Sequence, residues 1–134
     1  MNDKEDLQKK IMEFQILDQN LKMLQERAEF FNQKLEEVQR TRDAVADLEK
    51  TNPGKAMIPL GSGVFAYGSI DNCADLIMGV GSGIAIKGDR AKVLENLESR
   101  AKDIEKDLNE IVKQITIFVS QIEKTQRDIE AMQK

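Results

Sequence analysis

Apolar residues recur along the first third of the chain with a period that a helix imposes. Leu17, Leu21, Leu24, Ala28, Phe31, Leu35 and Val38 are separated alternately by four and three residues. That is a heptad seam, the stripe through which one helix supercoils about another. It continues through Arg42 to Val45. Ahead of it, Leu7, Ile11 and Phe14 follow the same rule, but the step from Phe14 to Leu17 is three where four is due. A stammer of this kind locally overwinds a supercoil. No Gly or Pro interrupts the stretch, and Thr51-Asn52-Pro53-Gly54 ends it, because Asn52 before Pro is driven out of the α region. A first helix is expected over about residues 3–51.

From about residue 55 to 88 the pattern changes. Six of the eight Gly fall between positions 61 and 83, and charges nearly vanish. Gly63 to Ile70 reads as a β-type run, Asp71-Asn72 as a turn, Leu76 to Val80 as a second strand, Gly81-Ser82-Gly83 as a tight turn, and Ile84 to Lys87 as a third strand. A short strand over Met57 to Leu60 is expected to pair in front, with Pro59 confining it to an edge.

The last segment, about 89–134, opens on Asp89 as an N-cap. Leu94, Leu97, Ala101, Ile104, Leu108, Ile111, Ile115, Phe118, Ile122, Thr125, Ile129 and Met132 then alternate steps of three and four without a fault. Each helix is roughly 70 Å long at about 1.5 Å per residue. Two equal helices joined by a connector suit an antiparallel hairpin, with Leu21 at the level of Phe118, Ile11 at that of Ile129, and both termini at the far tip. Two separate parallel dimers are the alternative. The fold class is therefore mainly α: a single domain over residues 1–134, a long antiparallel coiled-coil hairpin with short β-hairpins at the connecting end.

The β segment is apolar on both faces. Val64, Ala66 and Ile70 point one way and Phe65 and Tyr67 the other; Leu76, Met78 and Val80 alternate with Ile77 and Gly79. Short hairpins alone are marginal in water, and open edges invite pairing. Closure against the same segment of other subunits, as a sheet or barrel, would satisfy them. Val64, Phe65, Tyr67, Ile70, Leu76, Met78, Val80, Ile84 and Ile86 are the candidate oligomerisation residues. A private cap folded over the base of the hairpin is the alternative.

A second surplus sits toward the termini. Met12, Ile16 and Met23 lie off the first seam, and Val112, Ile117 and Val119 off the second; Ile11 is grouped with them as candidate binding residues. All share the outer half of the hairpin, and residues 114–122 carry no acid or base. Exposed apolar surface costs roughly 25 cal/mol per Å², and unbranched Met adapts to varied partners. Two readings fit: a reversible clamp on exposed hydrophobic segments of unfolded proteins, or a wider seam in a helical bundle.

Composition removes other classes. The net charge of −4 and the absence of Trp disfavour a nucleic-acid surface. With no His, the commonest general base and metal ligand is missing. The single Cys permits no internal disulfide, and Cys73 reads as a small side chain of the β segment rather than a nucleophile. Gly79-Val80-Gly81-Ser82-Gly83 lacks the Lys-Ser/Thr of a phosphate loop. No catalytic residue, metal or cofactor is expected, so the chain does not read as an enzyme. The charged start, Met1-Asn2-Asp3-Lys4-Glu5-Asp6, is no signal peptide, and no run spans a bilayer. A cytoplasmic protein is expected.

The layout of helix, Gly-rich β segment and helix resembles the prefoldin family, in its archaeal alpha class. Ile58-Pro-Leu-Gly-Ser-Gly-Val-Phe-Ala-Tyr-Gly-Ser-Ile70 is similar to that family's first hairpin, and Leu76-Ile-Met-Gly-Val-Gly-Ser-Gly-Ile-Ala-Ile86 to its second. Two hairpins fit the alpha class, since beta-type connections are shorter. The resemblance implies a hexamer of two alpha and four beta subunits joined through an intersubunit β-barrel. It further implies coiled-coil tips that hold non-native clients, and delivery to a group II chaperonin without ATP. A structural coiled-coil adaptor that holds fixed partners and no unfolded clients is the competing reading.

Overall fold

The computed structural model describes residues 3–48, 55–70 and 74–133. Their order is α1 (Asp3–Asp47), β1 (Lys55–Gly61), β2 (Val64–Ser69), β3 (Leu76–Gly81), β4 (Ile84–Gly88) and α2 (Arg90–Gln133). The expected stop at residues 51–54, the turn at Asp71-Asn72 and Cys73 lie outside the described residues. The chain divides into two units, one of residues 1–35 with 103–134 and one of residues 36–102.

In the first unit, α1 and α2 bury one stripe each. Leu24 of α1 is buried, as are Ile111, Ile122 and Thr125 of α2; Phe14, Leu17, Leu21, Ala28, Phe31 and Leu35 are half-buried, as are Ile104, Leu108, Ile115, Phe118 and Ile129. These are the heptad positions. Met132, the last of them, is exposed. The acids Asp3, Glu5 and Asp6 stand in the first turn of α1, where a carboxylate meets the positive end of the helix dipole.

The stammer is absent. Ile11 is exposed, at 37%, and Lys10 takes the half-buried position instead. With Lys10 in the seam, the steps from Leu7 through Lys10, Phe14 and Leu17 alternate three and four without a break. The aliphatic stem of a lysine can cover a seam while its ammonium reaches out. Here the ammonium lies 3.4 Å from Asp128 on α2 and 3.5 Å from Glu13. Lys10 and Asp128 are each one residue from the expected Ile11–Ile129 level, so the antiparallel register holds. Glu13 first, and Asp128 with it, raise the Lys10 pKa above its ordinary 10.5. While Glu13 and Asp128 are ionised, the contribution is fully present below that ordinary value and is lost as the pH climbs through the raised one.

In the second unit, Val93, Leu97 and Ala101 are buried on α2, and Val38, Arg42 and Val45 are half-buried on α1. The Arg42 guanidinium meets the Glu98 carboxylate at 3.5 Å. Arg90 donates to the carbonyl of Ala46 at 3.2 Å, supplying a donor to a helix end whose last turn has no basic residue. Asp89 is the N-cap of α2: its Oδ1 accepts from the Lys92 amide at 2.8 Å, while its carbonyl takes the first helical bond, from Val93, at 3.0 Å.

β1 pairs with β2, and β3 with β4, as two separate antiparallel ribbons. The central turn residues all have positive φ: Ser62 49° and Gly63 78°, Ser82 53° and Gly83 73°. A two-residue hairpin loop of this hand matches the twist of its strands and tolerates little but Gly and small polar residues. Each ribbon carries a bulge one residue before its turn, at Leu60 and at Val80. The second hairpin thus repeats the first, Gly-Ser-Gly for Gly-Ser-Gly. The seam from Phe14 onward, the α2 seam and the Gly81-Ser82-Gly83 turn agree with expectation; the matching turn at Gly61-Ser62-Gly63, and with it the repeat, was not expected, although its signal stands in the sequence.

Two outcomes are expected in thermal melting of the helices. Asp89→Ala should lower stability by about 1 kcal/mol, the worth of an N-cap. Lys10→Leu should raise the midpoint, since a well-packed apolar residue usually matches or exceeds an ion pair at a seam; a fall would show that the pair with Asp128 outweighs the apolar alternative.

Candidate functional site

Two sets of exposed apolar side chains stand out, one in each unit. In the second unit they are carried by the ribbons. Pairing of Met57 with Tyr67 and of Pro59 with Phe65 puts these side chains on one face of the first hairpin. Ile58 opposite Ala66 occupies the other face. A Cβ at Gly68 would collide with the Ile58 side chain, so glycine there lets Ile58 lie across the ribbon. On the second hairpin, Leu76, Met78 and Ile86 share a face, and Ile77 lies on the other beside Lys87 and Ala85.

Of the expected assembly residues, Val64, Phe65, Tyr67, Ile70, Val80, Ile84 and Ile86 are exposed, Tyr67 at 86%; Leu76 and Met78 are half-buried. Sequence reasoning passed over Met57, Ile58, Leu60 and Ile77, which are equally open, Ile77 at 73%. The missed signal was the pairing itself: once β1 pairs with β2 and β3 with β4, both faces of each ribbon carry apolar residues, and most of them are exposed. A two-stranded ribbon has no second layer in which to hide them.

The second set lies in the unit that contains residues 1–35 and 103–134. Ile11, Met12, Ile16, Met23, Val112, Ile117 and Val119 are all exposed, as their places off the buried stripe require. Phe30, exposed at 55%, belongs with them and was not singled out in the sequence. Its ring meets Phe31 edge-on at 5.7 Å between centroids, and the Lys34 ammonium lies 5.6 Å over its face. Ile16, Met23 and Phe30 are spaced by seven residues, nearly two turns, so they stack in one line down α1. With the seam phased through Lys10, that line and Ile117 fall on one flank of the antiparallel pair. Ile11, Val112 and Val119 fall on the opposite flank, and Met12 on the back of α1. A shallow groove beside the line is walled by Met23, Glu26, Arg27, Phe30 and Phe31.

Neither set contains a catalytic arrangement. Among the described residues, no group of His, Cys, Asp and Glu is placed to hold a metal ion, and no helix is long and apolar enough to cross a membrane. What both surfaces offer is contact area without directional chemistry.

A coiled-coil helix pair whose connection carries two apolar β-hairpins defines a class of coiled-coil subunit found in hetero-oligomers. The model of the prefoldin subunit family matches residues 17–134, and the chain belongs to that family. It is 26% identical to the prefoldin subunit alpha of Archaeoglobus fulgidus over all of this chain and 98% of the relative. To the prefoldin subunit alpha of Pyrococcus horikoshii it is 30% identical over 92% of this chain and 81% of the relative. Among solved structures, filamentous PFD from Methanocaldococcus jannaschii superimposes with a TM-score of 0.72 at 14% identity, covering 82% of this chain and 92% of that one. The expected fold and the resemblance to archaeal alpha subunits are both borne out.

Proposed function

We propose that the chain is the alpha-type subunit of an ATP-independent holdase, which assembles through its β-hairpins and holds non-native proteins on the exposed apolar residues of its coiled coil. The observation that carries this reading is the pair of uncovered apolar surfaces on an otherwise charged chain. Each would cost free energy if left in water, roughly 25 cal/mol per Å². They differ in kind. The hairpins present both apolar faces and open backbone edges, which suit permanent closure against like ribbons. The coiled-coil set consists of Ile, Val, Met and Phe on ordinary helix positions, with no edge to extend, which suits contacts that form and release.

Family membership supports the finer reading: a cytoplasmic hexamer of two alpha and four beta subunits closed through an intersubunit barrel, passing clients to a group II chaperonin. Val64, Phe65, Tyr67, Ile70, Leu76, Met78, Val80, Ile84 and Ile86 would serve that closure, joined by Met57, Ile58, Leu60 and Ile77. Ile11, Met12, Ile16, Met23, Val112, Ile117 and Val119 would hold clients, with Phe30.

Two measurements test the two surfaces separately. Replacing residues 55–88 by a short Gly-Ser loop should give monomeric helical hairpins on sizing, alone and with a co-expressed archaeal beta subunit; an unchanged oligomer refutes assembly through the hairpins. For clients, Ile16, Met23, Phe30 and Ile117 are replaced together by Ser in the assembled complex. Several-fold more complex should then be needed to suppress aggregation of a denatured protein, with native mass unchanged. Equal protection would return the chain to the adaptor reading, in which the coil serves fixed partners only.

A further inference from the structure

The second hairpin is seated on α2 by a contact that assembly alone does not require. Arg100 Nη2 donates to the carbonyl of Gly79 at 2.8 Å. Gly79 is the last regularly paired residue of β3 before the bulge at Val80. At the other end of the ribbon, Gly88 is joined through Asp89 directly to the start of α2, beside the buried Val93. Leu76 pairs with Gly88, and Gly79 is three residues further along the strand. The two attachments are therefore about 10 Å apart at ~3.4 Å per residue. One attachment leaves a hinge; two fix a direction.

Val93, Asn96 and Arg100 follow one another at steps of three and four, so they share one flank of α2, apart from the seam at Leu94, Leu97 and Ala101. Arg100, at one end of this flank, bonds to Gly79 of the hairpin, and Val93, at the other, stands beside Gly88 where the ribbon enters the helix. The Asn96 Oδ1 is buried and has no donor, a condition that weakens whatever covers it. Arg100, a charged donor on a neutral carbonyl, is the strong polar contact of the seat.

We propose that Arg100 is a positioning residue for assembly: it holds the β3–β4 hairpin in the direction from which it docks on a neighbouring subunit. This rests on the assembly reading above and specifies a step within it. The docking faces of the hairpin are exposed before assembly, and an untethered ribbon presents them in many directions. Apparent affinity falls in proportion to the fraction of molecules in the competent direction, so a residue that fixes direction strengthens assembly without touching the partner.

The test uses the full chain, with a purified archaeal prefoldin beta subunit as the assembly probe. Amide exchange in the free chain reads the seat, titration with the beta subunit reads assembly, and thermal melting reads the helices. Arg100→Ala should raise exchange across β3 and β4 and weaken assembly about tenfold, with the helix melt within a few degrees of wild type. Arg100→Lys, which keeps one donor, should recover part of both effects. Faster exchange with unchanged assembly overturns the positioning role, because the hairpin would then dock equally well from any direction. Unchanged exchange overturns the seat itself. If the wild-type chain does not assemble at all, the assembly reading fails and takes this role with it, while the exchange data still report whether Arg100 holds the ribbon.

Discussion

A two-helix coil buries one stripe from each partner and leaves every other position in water. In this chain that stripe is narrow and nearly continuous, from Leu7 to Val45 on α1 and from Leu94 to Ile129 on α2. Six hydrophobic residues among those described count as buried, every one of them on a helix. The coil therefore has no spare capacity. Any apolar residue beyond the stripe must find cover elsewhere or remain exposed, and this chain carries many.

The hairpins follow from the same limit. A ribbon of two strands covers neither of its own faces, and Gly-Ser-Gly turns with bulges at Leu60 and Val80 produce the same ribbon twice. Apolar residues on both faces would be a liability in a solitary protein. In the assembly proposed for this subunit they are the means of association. The bond from Arg100 to Gly79 is where helix and ribbon meet within the chain, and it is the contact proposed to tie the direction of the ribbon to the helix that carries it.

Much of this was legible in the residues. The alternation of three and four, the N-cap at Asp89, the paired strands and the off-seam Met, Ile and Val positions all stood in the sequence, because each rests on a local rule of period, cap or turn. Lys10 shows the limit of such reading. Ile11 looked like the seam residue because it is apolar, and accepting it forced a stammer. The structure instead keeps the phase and takes a charged side chain into the seam, since Asp128 and Glu13 stand within reach of its ammonium. Phe30 was overlooked although the seam through Phe31 already left it outside, on the same line as Ile16 and Met23.

By itself, the sequence determined the two helices and their seams, the Gly81-Ser82-Gly83 turn and the surplus of apolar side chains, because near-neighbour chemistry is sufficient for all of them. Tertiary structure alone decided that Lys10 replaces Ile11, that the line of Ile16, Met23 and Phe30 and the pair of Val112 and Val119 lie on opposite flanks, and that Arg100 grips Gly79. Each of these depends on where a distant part of the chain arrives. A periodic pattern shows which positions face inward; it does not show which carboxylate waits across the seam, or which carbonyl of a ribbon comes within reach of a guanidinium twenty-one residues away.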